Sequence, residues 1–237
     1  MHSPAALAMQ PVAVVRSPFR EKFGIPRQSG LTAGISSEVV LLPPYDIAQT
    51  VQGLEGFSHL WLLFAFHANL DRGWRPTVRP PRLGGNRRVG VFASRSTHRP
   101  NPIGLSVVAL HQVRLEAGVV LQVSGADLLD GTPILDIKPY IPFADAIPDA
   151  RGGYVDAPPQ QSPITYSEAA QAQLLEHRQR WPELPNVIAA ALGYDPRPAY
   201  HQAEGRRYGV ALYDLDVAWE QHGQQKVVVS ITRLVGE

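Results

Sequence analysis

The apolar residues of the first 145 positions fall in short runs rather than in the three-to-four spacing of helices. Residues 12–15, 38–42 and 57–66 are bounded by Pro, Gly or Asn, and 88–94, 104–115 and 118–124 continue the series. Residues 132–138 alternate apolar with polar side chains, the period of a half-buried strand. Glu116-Ala117-Gly118 separates two of the runs and predicts a hairpin. One helix is expected to start at Asp46, whose carboxylate can cap residues 47–53. Many short strands with regular turns predict a closed or nearly closed β-barrel. No alternation of strands with helices supports a doubly wound parallel sheet.

The pattern changes after residue 143. Over 143–163, Pro, Asp, Ala, Gly and Gln replace the strand formers, as in a linker or a loop lying over the first domain. Ser167 then caps a predicted helix over 168–181, with apolar positions at Ala170, Leu174, Leu175 and Trp181. A second helix is expected over 185–192, with Pro185 at its start and Gly193 just past its end. Residues 208–219 and 226–234 alternate as two strands around His222-Gly223. The chain is therefore expected to be mainly β: an N-terminal barrel domain over 1–145, a linker over 146–160 and a small α+β domain over 161–237.

Composition excludes several chemistries. A 237-residue chain with 44% hydrophobic and 18% charged residues has enough apolar material to build a core, so wholesale disorder is excluded. With no cysteine there are no disulfides, thiolate zinc sites, iron–sulfur clusters or thiolate nucleophiles. The eight His show neither HxxxH nor HExxH spacing, so no metal site is expected. There is no GxGxxG and no GxxxxGK[ST]. Leu42-Pro-Pro-Tyr45 resembles the Asn/Asp-Pro-Pro-Tyr loop of Rossmann-type amino methyltransferases, but Leu42 cannot accept a hydrogen bond from an amine, and the segment reads as a turn. The longest apolar run, 60–66, is far short of the roughly 20 residues that span a bilayer. No Lys or Arg precedes Arg16, unlike a secretion signal, and a soluble cytoplasmic protein without membrane contact is expected.

Charge is distributed unevenly. Nineteen of the 22 Lys and Arg are Arg, and eight of them (72, 75, 79, 82, 87, 88, 95 and 99) lie in one window without an Asp or Glu. Since the whole chain is +1, everything outside that window sums to −7. Such a window repels itself unless an anion meets it, and Arg favours planar contact with phosphate or carboxylate. A polyanionic partner explains it; the alternative is a solvated loop paired with acids elsewhere. Three further clusters carry chemistry. Residues 95–104 crowd polar side chains onto a stiff loop after a strand, placed for recognition or serving as a rigid connector. Asp127 and Asp130 flank a turn and could hold hydroxyls or a cation, or form a plain hairpin. Asp195-Pro-Arg-Pro-Ala-Tyr200 stiffens Arg197 and Tyr200, a pair suited to stacking on a base or gripping a phosphate, or else to capping the preceding helix. His67, at the end of the apolar run, could face a pocket, whereas His59 reads as structural.

Together, Ser17-Pro-Phe-Arg-Glu-Lys-Phe23, Pro26-Arg-Gln28, Gly56-Phe-Ser-His-Leu-Trp61, the stretches 74–85 and 90–104, Asp127 to Pro133, Asp136-Ile-Lys-Pro-Tyr140 and Asp195 to Tyr200 resemble the TsaA-like (TrmO) tRNA N6-methyltransferases. The resemblance implies a non-Rossmann β-barrel using S-adenosylmethionine, usually as a homodimer. It implies N6-methylation of threonylcarbamoyladenosine at position 37, in the anticodon stem-loop of tRNA. Carried over by motif, cofactor contacts fall on Pro26, Arg27, Gln28, Phe66, His67, Arg95, Leu105, Asp127, Leu128, Leu129 and Asp130. His98 stands where the family often has Phe, so no role for His98 follows. Asp136 and Tyr140 are the candidate proton acceptors. Arg72, Arg75, Arg79, Arg82, Arg87, Arg88, Arg197 and Tyr200 are the candidate tRNA contacts. A non-catalytic module reading the anticodon loop is the alternative; a hydrolase built on Ser96 and His98 lacks an acid partner.

Overall fold

The computed structural model describes residues 6–31, 34–155, 157–194, 206–223 and 225–234. Strands β1 (Ala13–Arg16), β2 (Ser36–Leu41) and β3 (His59–Ala65) are followed by two two-residue strands, β4 (Thr77–Val78) and β5 (Val89–Gly90), which pair only with each other. Then come β6 (Ile103–Arg114), β7 (Val120–Ser124) and β8 (Pro133–Pro139). Six of these close into a barrel in the order β1-β2-β7-β6-β3-β8, and β8 returns to β1. Every adjacent pair is antiparallel. Closure leaves no free sheet edge.

Alternation fills the barrel. Ala13 and Val15, Val39 and Leu41, Leu60 and Leu62, and Leu121 and Val123 point inward at successive even steps and are buried together with Val108 and Ile134. One position permits no side chain. Gly104 of β6 is paired with Phe64 of β3, and a Cβ there would lie 2.2 Å from the Phe64 ring.

The rest of the chain forms α1 (Pro142–Asp145), β9 (Ile164–Tyr166), α2 (Glu168–Arg178), α3 (Leu184–Gly193), β10 (Arg207–Leu212), β11 (Leu215–His222) and β12 (Gln225–Arg233). The sheet runs β10-β11-β12-β9, with β9 parallel to β12. Ser167 caps α2 as expected, its side chain accepting from Ala170 N–H. Trp219, Ile188, Leu192 and Leu215 are fully buried between this sheet and α3. The same core takes in Phe19 and Ile35 from the barrel half, and Phe19 bridges to Leu212. Glu183 accepts from Ser36 N–H at 3.0 Å and from Ser36 Oγ at 2.8 Å.

Several expectations are corrected. Asp46 caps nothing: residues 48–51 form a single 3-10 turn without a side-chain cap, within which Thr50 Oγ1 donates to the carbonyls of Tyr45 and Ile47. Of 88–94 only β5 is a paired strand; Val91 N–H donates to Pro76 O and Val91–Ala93 turns, because no barrel strand lies alongside. The run 208–219 is two strands, broken at Tyr213 (φ 54°), whose N–H donates to Pro18 O. Helix α2 stops at Arg178 and leaves Leu175 67% exposed, and Gly193 is the last residue of α3 rather than the position after it.

Gly104→Ala is expected to destabilise the barrel by about 1–3 kcal/mol, the usual cost of overpacking a filled core. Urea unfolding measures it, and Phe64→Leu in the same chain should recover part of the loss.

Candidate cofactor site on one rim of the barrel

Antiparallel closure sorts the loops onto two rims. The C-terminal ends of β1, β3 and β7 and the N-terminal ends of β2, β6 and β8 share one rim, as their registers require. That rim therefore carries the segments 17–31, 34–35, 66–102 and 125–132, and with them Pro26 to Gln28, Phe66, His67, Arg95 and Asp127 to Asp130. The opposite rim carries 42–58, 115–119 and the residues after β8.

The turn after β7 is sewn to the segment leaving β1. Asp130 accepts from Ser17 N–H at 2.9 Å and from the Arg20 guanidinium. Ser17 Oγ donates to Leu128 O at 2.7 Å, and Asp130 N–H donates to Phe19 O at 2.8 Å. Both Asp130 oxygens are thus engaged within the protein, and Leu128 is buried. Leu129 O receives Thr132 Oγ1 at 2.6 Å and Thr132 N–H at 3.1 Å.

Held in this way, the same turn sets Asp127 against β6. Ser106 Oγ donates to Asp127 Oδ1 at 2.6 Å. Burial raises the Asp127 pKa above its ordinary value. The Ser106 hydroxyl, the Asp127 and Ser29 backbone N–H groups and the positive charge of Arg95 oppose that rise without cancelling it. Arg95 is exposed and donates to Gln28 Oε1 at 2.6 Å. One guanidinium, one carboxylate and one amide therefore meet on this rim. Pro26 is buried behind them, and Arg27 is exposed. Phe66 N–H is fixed by Pro102 O at 2.8 Å, and its ring meets Phe64 edge-on at 5.2 Å. His67 opens the 3-10 turn His67–Arg72, and Leu105 is 51% exposed. Such a set suits a small ligand carrying both charges and an apolar face.

The arginine window is an excursion from this rim. Arg72, Arg75, Arg79, Arg82, Arg87 and Arg88 are all exposed, and none of them forms an ion pair with an acid of the described residues. Arg99 instead turns inward, donating to Ser94 O at 2.7 Å and lying 5.9 Å from the ring of Phe92, which is 78% exposed. His98 Nδ1 is buried without a hydrogen-bond partner. Arg197 and Tyr200 lie outside the described residues.

Asp136 and Tyr140 stand apart from the cluster. Asp136 Oδ2 is 2.9 Å from Lys138 Nζ, and Oδ1 accepts from Ile137 N–H. Tyr140 donates its N–H to His59 O, at the far end of β3, and packs against His59 and Trp61. Seven residues of strand put it roughly 20 Å along the barrel from Phe66. Sequence reasoning missed Ser106, Ser29, Ser17 and Arg20. Ser106 had a signal: it is a polar residue in the buried phase of β6, between Gly104 and Val108.

Fold and site define a β-barrel class whose polar cluster sits on rim loops, with no Rossmann sheet among the described residues. A family model for the tRNA-methyltransferase O N-terminal domain matches residues 14–146, and one for the TrmO C-terminal domain matches residues 159–234. The chain belongs to the tRNA-methyltransferase O family. It is 48% identical over 219 residues to the tRNA (adenine(37)-N6)-methyltransferase of Escherichia coli (strain K12), covering 91% of this chain and 93% of that protein. It is 54% identical over 214 residues to a putative S-adenosylmethionine-dependent methyltransferase of Pseudomonas aeruginosa, covering 90% and 91%. A crystal structure of TrmO from Pseudomonas aeruginosa superposes with a TM-score of 0.81 at 43% identity, over 96% of this chain and 99% of that one.

The raised Asp127 pKa predicts a pH signature. Between 3.8 and the raised folded-state value the folded protein binds more protons than the unfolded chain, so this group makes stability fall as pH rises through that window. Asp127→Asn removes the slope while its amide oxygen can still accept from Ser106. Urea midpoints at several pH values should show the variant gaining on wild type as pH rises.

Proposed function

We propose that this chain transfers a methyl group from S-adenosylmethionine to N6 of adenine 37 of tRNA, and that its acceptor is the threonylcarbamoyl form of that base. The observation that carries the reading is the meeting of Arg95, Gln28 and Asp127 on one rim, at the foot of an acid-free arginine excursion. The names of the relatives support the same reading.

The residues fit the cofactor. Arg95 would meet its carboxylate, and Asp127 its ammonium or ribose hydroxyls, with Gln28 fixing the guanidinium between them. Leu105 and Phe66 would offer apolar contact. The cofactor supplies a methyl carbon activated by a sulfonium. What this chain supplies is position: a rigid rim that holds donor and acceptor in line can furnish most of the acceleration. Ring and carbamoyl both withdraw electrons from N6, so its proton is acidified. Asp136 is the better placed of the two candidate acceptors, because it lies opposite Leu63, which lies opposite Leu105.

The exposed arginines would track tRNA phosphates around the anticodon stem-loop, making affinity steeply salt-dependent. In this reading the chain works in the cytoplasm as a homodimer, for which exposed Phe143 and Ile147 offer apolar surface. Mass spectrometry of tRNA nucleosides from a deletion strain tests the reaction: N6-methylated threonylcarbamoyladenosine should disappear and return with the gene. Persistence of that nucleoside contradicts the proposal.

Arg95→Ala is expected to weaken S-adenosylmethionine binding by about 1.5–3 kcal/mol, toward the lower end because the guanidinium is exposed. Calorimetry measures the change, and the melting temperature should stay at the wild-type value.

A further inference from the structure

The rim cluster opens on its other side into a cleft of about 360 Å³. Gln28 and Ser29, whose loop meets Arg95 and Asp127, form one wall. Val155, Pro158 and Pro159, from the segment after the barrel, form the other. That segment is tied down by Tyr154 Oη, which donates to Ala93 O at 3.0 Å beside the Arg95 loop. Among the described residues lining the cleft, Arg82 is the one that is charged. It sits on the turn Pro81–Leu83, and no acid of the described residues pairs with it.

A guanidinium that pairs with no acid of the described residues, beside a wall of Val and Pro, is unlike a plain phosphate contact. A phosphate diester needs cations but no apolar wall. A carboxylate on a short aliphatic group needs both: the cation for its charge, the wall for its methyl or methylene carbons. The neighbouring hydroxyl and amide of Ser29 and Gln28 add polar partners for the amide or amine next to such a carboxylate.

We infer that this cleft is a subsite for an amino-acid carboxylate, with Arg82 as its counter-ion and Val155, Pro158 and Pro159 against its aliphatic part. The inference rests on the methyl-transfer reading, which brings one such group to this rim that no other residue has taken: the threonyl group on N6 of the acceptor base, the carboxylate of S-adenosylmethionine being met by Arg95. The cleft makes Arg82 specific in a way its neighbours are not.

Arg82→Gln in the full chain tests this, beside Arg79→Gln as a control from the same window. Binding is measured to an anticodon stem-loop carrying threonylcarbamoyladenosine and to the same RNA with plain adenosine at position 37; S-adenosylmethionine binding is measured by calorimetry. Arg82→Gln should weaken the modified RNA by about tenfold more than the unmodified RNA, the value of one charge-assisted contact, if the threonyl group is the occupant. A loss of S-adenosylmethionine affinity by about that factor, with the two RNAs affected alike, would give Arg82 the methionyl carboxylate and overturn the threonyl assignment. Equal losses for both RNAs, matching Arg79→Gln, with cofactor affinity unchanged, would reduce Arg82 to a phosphate contact and overturn it. So would no loss at all. A wild-type protein that does not distinguish the two RNAs, in binding or in methylation, contradicts the threonylcarbamoyl acceptor itself and overturns the subsite with it, whereas a wild type that distinguishes them leaves the subsite to the Arg82→Gln comparison.

Discussion

Asp130 holds the two halves of the molecule to the site. Its carboxylate takes Ser17 N–H and the Arg20 guanidinium, which fixes the path of the chain as it leaves the first barrel strand. On that path Phe19 reaches Leu212 and joins the core of the C-terminal sheet. On the other side of the same turn, Asp127 comes to rest on Ser106. The barrel, the C-terminal core and the polar cluster therefore share one short turn. A change in that turn is felt in all three, although only Asp127 lies in the cluster itself.

The electrostatics of the rim follow from burial. Asp127 is costly to ionise where it sits, and its charge is sustained by a hydroxyl, by backbone donors and by Arg95. Arg95 is in turn oriented by Gln28. Beyond this pair the positive charge meets no acid of the described residues, out along the excursion between β3 and β6. A site that balances its own charge beside a surface that does not is suited to a small charged ligand and a large polyanion at once.

The barrel was legible because its strands alternate and its turns carry Gly and Pro; the hairpin at Gly118 (φ 86°) and the Ser167 cap formed as local chemistry dictates. The failures have tertiary causes. The break at Tyr213 and Asp214 carries no Gly, Asn or Pro, and it is held from outside by Pro18 O. Asp46 lost its expected helix to a 3-10 turn that includes Thr50. Residues 88–94 have the strand period but lie on the excursion, where only β4 is available to pair. For the site, the acid-free arginine window and the Asp127 turn could be read directly. The division of labour between Asp127 and Asp130 could not, because it depends on Ser17 and Ser106, 111 and 21 residues away from their partners in the chain.

In the proposed reading one rim, and not the other, receives the cofactor. Amide hydrogen exchange with and without saturating S-adenosylmethionine tests it most directly. Exchange should slow at residues 26–31, 94–106 and 125–130 and stay unchanged at 42–58, 115–119 and 140. Slowing at that far rim, with none at the first, would contradict the account.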